Sequence, residues 1–376
     1  MVKVKISDIT INLDNKRKPL NGEDRNRISI EKKYPYCGAN NIMDYVDEYL
    51  FDEEIICIAE DGGKWGADET CSYIMNEKCW VNNHAHVLRI ADKNQTDIRY
   101  LRYWINHKDL NGIITGAIVK KLTQKALNDI EIELPSIEEQ QNISSTLDTI
   151  SNLIEYKKKQ IFKLNELIKS QFVEMFGDIN INNKNYEECK LGNYLKVIGG
   201  YAFKSKNFKN KGIPVLRIGN INAGYFRPKD LMFWDEEPNL ENYTIYPGDV
   251  VMSLTGTVGK DDYGNICIMS DDYEKYYLNQ RNAKLILKDK LNSCYIVFAL
   301  RIPEIKRRLT GISRGVRQAN IANKDIENLI IPIPPIDLQN QFAQIVEQID
   351  KQKFEFEKSL KKLEELQASL MQEYFG

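Results

Sequence analysis

Apolar residues recur at alternating steps of four and three along two stretches of the chain. In the first stretch they are Ile143, Leu147, Ile150, Ile154, Ile161, Leu164 and Ile168, with Lys157 as a polar interruption. In the second they are Phe342, Val346, Ile349, Phe356, Leu360, Leu363 and Leu370, interrupted by Lys353. This heptad spacing predicts two long helices, each with an apolar seam. Ser136 is suited to cap the first helix, and Glu138 and Glu139 suit its positive end. Gly177 is suited to end it. About 40 residues at 1.5 Å each make a rod of roughly 60 Å.

The two stretches are copies. Leu134 to Gly177 aligns without a gap on Ile333 to Gly376, so that Pro135 falls on Pro334, Gln140 on Gln339 and Phe176-Gly177 on Phe375-Gly376. A bare apolar stripe on a lone helix is unstable in water, so each rod needs a partner. The other rod is the nearest candidate. The expected result is an antiparallel coiled coil with pseudo-two-fold symmetry and a globular segment at either end. If the seams mirror each other, Lys157 and Lys353 come together. Either their stems reach outward toward Glu155, Glu355 or Glu357, or the helices are staggered.

The segments between the rods alternate short strand-like runs with turns, which predicts an α+β fold. In the first, Ile55 to Ala59 and Ala85 to Ile90 read as strands around the glycine-rich turn Glu60 to Gly66. Asp97 to His107 has helical spacing, and Ile130 to Leu134 alternates like a half-buried strand. The second keeps the order. Val250 to Leu254 takes the place of the 55–59 strand, Thr255 to Lys260 that of the turn, and Tyr295 to Leu309 that of the helix. Thr310 to Arg317 matches Thr115 to Lys120 with a small insertion. The expected domains are 1–135 and 179–335 for the globular segments, with the rods at 136–178 and 336–376.

Composition narrows the class. No apolar run is long enough to span a bilayer, and the N-terminus MVKVKISDIT has no apolar signal region. A cytoplasmic protein is expected. Seven cysteines, an odd number lying mostly in apolar runs, read as buried thiols and not a disulfide framework. The net charge of −2 does not advertise a nucleic-acid binder, so any basic surface must be local.

The chain carries no G-x-x-x-x-G-K-[ST] phosphate loop, and no Asp/Asn-Pro-Pro-Tyr/Phe run of the kind amino-methyltransferases use. Asp24, Glu31 and Lys33 have the loose spacing of a Mg²⁺-dependent nuclease; a charged loop before Tyr34 accounts for the same residues. Cys71, Cys79, His84 and His86 offer zinc-ligand types, with the two histidines expected on one face of a strand. No C-x-x-C pair accompanies them, and the second segment has Arg281 and Ala283 at the histidine positions. No metal and no catalytic residue is therefore expected in this chain.

Polar loops that recur in both segments are the candidates for DNA contact. Asn, Gln and Arg make bidentate contacts with base edges. Asn82, Asn83 and His84 supply such types in the first segment, and Asn279, Gln280 and Arg281 in the second. Lys64, Thr257 and Lys260 sit in glycine-containing turns suited to phosphate. Lys120 and Lys121, with Arg314 and Arg317 in the second segment, lie in loops that would enter a groove. The same loops also fit a scaffold role without DNA, and the rods alone fit a protein-interaction adaptor equally well.

The whole chain resembles the specificity (S) subunits of type I restriction–modification systems. The residues that carry the resemblance are the rod entrances Leu134 to Gln140 and Ile333 to Gln339 and the paired seams ending in Phe-Gly. Tyr34 to Asn41, Phe51-Asp52, Gly62 to Lys64, Trp80 to His84, Ile213 to Ile221 and Gly248 to Val250 add to it. The resemblance implies two target recognition domains, each reading one half of a split, asymmetric DNA site. It implies rods that set the spacing and dock two methyltransferase subunits, to which a restriction subunit is added. S-adenosylmethionine, ATP and Mg²⁺ would belong to those partners and not to this chain. The outward faces of the rods are the expected methyltransferase contact.

Overall fold

The computed structural model describes residues 2–116, 118–311 and 318–376. The chain forms two compact units. One comprises residues 1–159 and 357–376, the other residues 160–356. Among the described residues, no helix is long and apolar enough to cross a membrane.

In the first unit a four-stranded antiparallel sheet runs in the order Thr10–Asn12, Ala85–Ile90, Ile55–Ala59, Ser72–Met75. The central strand Ile55–Ala59 is buried on both faces, as its continuous apolar run requires. Ile56 stands opposite Leu88 on one side and Ile74 on the other. A smaller sheet orders Ile42–Val46, Tyr34–Cys37 and Trp80–Val81. Val2–Lys5 pairs antiparallel with Glu131–Leu134 just ahead of the first rod. The helix Ile98–His107 begins where Asp97 accepts the amides of Arg99 and Tyr100, and it buries Leu101 and Ile105 fully.

The second unit repeats this plan. Its antiparallel sheet orders Leu195–Gly199, Asn282–Leu287, Val250–Ser253 and Ile266–Ile268. Its second sheet orders Met232–Trp234, Ile213–Leu216, Tyr276–Leu278 and Thr244–Ile245. Glu188–Lys190 pairs with Ile330–Pro332 as the counterpart of the pair before the first rod. One expectation fails here. The helix read as continuous from Tyr295 to Leu309 is two helices, Ser293–Arg301 and Pro303–Thr310. Pro303 has no amide to continue the ladder and takes the first turn of a new helix instead.

Both rods form as single helices, Ile137–Phe176 and Ile336–Phe375. Ser136 Oγ accepts the amide of Glu139 at 3.3 Å, and Gly177 adopts φ +73°, the left-handed conformation of a helix stop. In the first unit, Ile143 and Leu147 enter one core with Leu127, Ile132, Leu101, Met371 and Phe375. Ile150 and Ile154 are buried as well, and Leu360, Leu363 and Leu370 are half-buried. In the second unit, Ile168, Phe342, Val346 and Ile349 are buried in one core with Phe172, Phe176 and Tyr295. Ile161, Leu164 and Phe356 are half-buried.

In the first unit the two rod segments run antiparallel: Lys158 Nζ lies 2.9 Å from Glu364, and Gln367 Nε2 donates to Ser151 Oγ at 2.8 Å. The turn that carries Lys157 thus meets the turn of Glu364. Glu155 pairs along its own helix with Lys159, at 2.7 Å.

Candidate nucleic-acid interface

In the first unit the strand Trp80–Val81 ends in Asn82-Asn83-His84. Asn82 is buried, with its amide nitrogen donating to the Cys37 carbonyl. Its side-chain Oδ1 accepts the backbone N–H of His84 at 2.8 Å. This is an Asx turn, in which the side chain shapes the loop. Asn82 therefore does not face outward as a base reader. It presents Asn83 and His84, both of which are exposed.

The second unit builds the same device. Asn279 Oδ1 accepts the N–H of Arg281 at 3.3 Å, and Gln280 and Arg281 are exposed. The amide of Gln280 donates to the Tyr201 carbonyl, which fixes the loop to the neighbouring segment. Arg281 borders two clefts. One, of about 650 Å³, is lined by Phe203, Arg217, Lys229 and Gln280 among others. The other, of about 340 Å³, is lined by Asn222, Thr255, Thr257 and Asp262. Residue type differs between the two loops while the turn geometry is shared, so each loop presents a different set of donors and acceptors.

The remaining candidates divide in two groups. Lys64, Lys120 and Lys260 are exposed. Lys121 is engaged with the protein: its Nζ lies 2.5 Å from Glu60, and its backbone exchanges hydrogen bonds with Thr115. Thr257 is engaged too. Its N–H and hydroxyl donate to Asp262 at 2.8 and 2.9 Å. The amide of Thr257 is the main reason the Asp262 carboxyl lies below its ordinary pKa, with help from the Lys260 charge. Arg314 and Arg317 lie outside the described residues.

Beneath the loop of Asn83 and His84 lies a polar cluster that the sequence pattern did not single out. Arg17 donates to Glu60 at 2.5 Å and to the Ala85 carbonyl at 2.7 Å. His86 is 1% exposed, with Nδ1 2.6 Å from Asp14 and Nε2 2.8 Å from the Leu122 carbonyl. Burial opposes the charge on Asp14, but hydrogen bonds from His86 and the Val87 amide outweigh it and hold its pKa low. For Glu60, burial is likewise outweighed by Lys121 and Arg17. Ligand atoms of Asp14, Glu60 and His86 lie within 4.8 Å of one another. Arg17 and Lys121 already neutralise that cluster, and both ring nitrogens of His86 face acceptors. A legible signal existed: Glu60 directly follows the apolar strand Ile55–Ala59, and His86 interrupts the apolar run from Ala85 to Leu88.

The zinc constellation does not assemble. Cys71 packs under the helix Ile98–His107, while Cys79 belongs to a separate core cluster with Cys37 and Cys57. Burial pushes the Cys71 thiol up to about 12. His84 precedes the strand that holds His86 and pairs with Asp61 at 2.6 Å, so the two histidines do not share a strand face. The nuclease residues are also separately engaged, Asp24 with Arg27 and Glu31 with Lys33.

A basic cleft of the second unit went unread in the sequence. It holds about 880 Å³ and is lined by Lys260, Arg301, Lys306 and Arg307. Lys306 Nζ is held by Asp261 and Asn265 at 2.5 and 2.6 Å. Burial lowers the pKa of Arg301, whose guanidinium donates to the Ile266 carbonyl at 3.1 Å.

A duplicated α+β domain with a loop of matched geometry and different side chains in each copy defines a class of two-site recognition protein. Comparison with known proteins gives the family. The model described as the type I restriction modification DNA specificity domain matches twice, at residues 1–166 and 183–368. The chain belongs to that family. It is 25% identical over 370 residues to the type I restriction enzyme MjaVIII specificity subunit of Methanocaldococcus jannaschii, covering 89% of this chain and 85% of that protein. Among solved structures, the S subunit of the type I restriction–modification system of M. genitalium shares the fold. It has a TM-score of 0.68 at 16% identity, covering 100% of this chain and 96% of that one. A chain from work on complex assembly and conformational transition of the type I restriction–modification system matches at a TM-score of 0.50 and 14% identity. That match covers 100% of this chain and 97% of the other.

Proposed function

We propose that this chain is the non-catalytic specificity subunit of a type I restriction–modification complex and that each domain reads one half of a bipartite, asymmetric DNA site. The observation that carries this reading is the pair of matched Asx turns, which present Asn83 and His84 in one domain and Gln280 and Arg281 in the other. The same backbone device with different donors and acceptors suits two different half-sites. Lys64, Lys120 and Lys260 would serve phosphates, which position a protein on the duplex without reading sequence. Asn82, Asn279, Lys121 and Thr257 would act one step back, by shaping the loops; Arg314 and Arg317 remain part of the proposed surface.

The two 40-residue rods would set the separation of the half-sites and dock two methyltransferase subunits. Their exposed apolar residues support a docking role: Tyr156 and Phe162 are 58% and 65% exposed, and Phe354 is 63% exposed. S-adenosylmethionine, ATP and Mg²⁺ would be bound by the methyltransferase and restriction subunits, in the cytoplasm where the host genome is modified. The test is a genome-wide map of methylated bases with and without the gene. Loss of one bipartite motif is the expected result. An unchanged map would favour an adaptor without DNA reading.

A further inference from the structure

Ile118 is 98% exposed and Val119 is 61% exposed, at the tip of the loop that runs from Thr115 to Lys121. The stem of this loop is closed in both directions: the Thr115 N–H donates to the Lys121 carbonyl at 3.0 Å, and the Lys121 N–H returns to the Thr115 carbonyl at 2.7 Å. Gly116 takes φ +102°, and a Cβ there would stand 2.0 Å from the Val119 carbonyl oxygen, so the tip is a tight turn that needs glycine. Two adjacent β-branched residues are poor choices for a turn tip, where Gly, Asn, Asp and Ser serve folding better. Neither side chain contributes to the core. Their purpose lies outside the fold.

The loop is fastened to the reading surface. Lys121 bridges Asp61 through the backbone, and the Asp61 carboxylate holds His84 Nδ1 at 2.6 Å. The amide of Glu60 donates to the His84 carbonyl at 2.9 Å, and the Leu122 amide to the Glu60 carbonyl at 2.8 Å. The apolar tip, exposed Lys120 and the pair Asn83 and His84 thus move as one piece.

We propose that residues 118–120 form a second reading element for the first half-site, with Ile118 seated against the C5-methyl group of a thymine in the major groove. The inference rests on the DNA-reading role proposed above. Hydrogen-bonding side chains distinguish all four base pairs only in the major groove, and the thymine methyl is the apolar group presented there. An element tied to Asn83 and His84 enters the same groove. Lys120 beside the tip supplies charge for the flanking phosphate. A protein contact for Ile118 is the competing possibility, and the experiment separates the two.

The full chain, assembled with its methyltransferase subunits, is titrated with duplexes carrying the mapped site. Each thymine of the first half-site is replaced in turn by uracil, which removes only the methyl group. One replacement is expected to weaken binding of the unmodified protein about fourfold, the effect of withdrawing one buried methyl. Ile118→Ser should bind the thymine and uracil duplexes equally, with an unchanged melting temperature. The proposal is overturned if the half-site holds no thymine, if no replacement matters to the unmodified protein, or if Ile118→Ser keeps the full thymine preference. Weakened assembly of Ile118→Ser with the methyltransferase in the absence of DNA would also overturn it, in favour of a protein contact. If the unmodified complex shows no sequence preference at all, the DNA-reading role itself has failed, which is a separate outcome.

Discussion

The backbone N–H of Asp97 donates to Gln140 Oε1 at 3.0 Å. Asp97 caps the helix Ile98–His107, and Gln140 lies in the first turn of the rod, fully buried. Gln140 Nε2 donates to the carbonyls of Gln95 and Pro135, each at 3.0 Å. Gln339 repeats all of this. It accepts the amide of Asn292 at 2.8 Å and donates to the carbonyls of Lys290 and Pro334 at 3.3 and 2.7 Å. One side chain locks each rod entrance to the cap of a domain helix, so the rod leaves its domain at a fixed angle.

Gln140→Ala should therefore cost about 1–3 kcal/mol, because it strands the half-buried Asp97 amide and the carbonyls of Gln95 and Pro135. Gln140→Glu should cost at least as much, since a carboxylate would face those carbonyls without a proton to donate. Chemical denaturation of the full chain measures both, and a loss below about 0.5 kcal/mol for Gln140→Ala would contradict the clamp.

Asn82 and Asn83 are adjacent and should behave in opposite ways. Asn82→Ala removes the turn that presents the loop and should lower stability by about 1–2 kcal/mol. Asn83→Ala should leave the unfolding midpoint unchanged and relax base preference in the first half-site. Paired melting and methylation-specificity measurements distinguish the two.

Arg281→Ala and His84→Ala should each alter one half of the recognition site and leave the other intact. For Arg281 the expected loss of discrimination is about 10- to 100-fold at one base pair, the range for a bidentate guanine contact. Methylation of a randomised site library reads this directly. A uniform loss of affinity across all sequences would reassign Arg281 to phosphate.

Acid should weaken the first domain through Asp14 and Glu60. Hydrogen bonds and nearby cations hold both carboxyls below their ordinary values despite burial. A pKa lower in the folded than in the unfolded chain means stability that is fully present above the ordinary carboxyl range, about pH 4. It is lost as pH falls through the folded values. Denaturation curves from pH 7 downward should show this decline, and Asp14→Asn should make it shallower.

The contacts along the rods should be unequal. Leu147 is fully buried in the first domain's core, and Leu147→Ala should cost about 3 kcal/mol. Lys158 and Glu364 form an ion pair whose side chains are 57% and 47% exposed. Lys158→Ala should cost no more than about 0.5 kcal/mol. Thermal unfolding of the two variants side by side tests the ranking.

Much of this architecture was legible in the sequence because it is periodic. The heptad seams marked both rods, and their duplication implied the repeated domain. The break at Pro303 was not read, because apolar residues keep helical spacing on both sides of it while the helix itself restarts. Site residues were less legible. Asn82 and Asn83 look alike in a sequence, and only the turn separates the residue that shapes the loop from the one that faces outward. The role of Arg17 was not legible either, because its partners Glu60 and Ala85 arrive from segments far along the chain. Lys260, Lys306 and Arg307 form one cleft only after the helix at Pro303 packs beside the turn at Gly259.

The core of the first domain includes Met371 and Phe375. Phe375 packs edge-on to Tyr100, and its carbonyl accepts a hydrogen bond from Lys108 Nζ. The chain leaves this unit after residue 159 and returns only at residue 357. During synthesis at about 5–20 residues per second, that interval is on the order of 10–40 s. The amino-terminal domain therefore emerges from the ribosome with an apolar face uncovered, and its final helix arrives only after the whole second domain has been made.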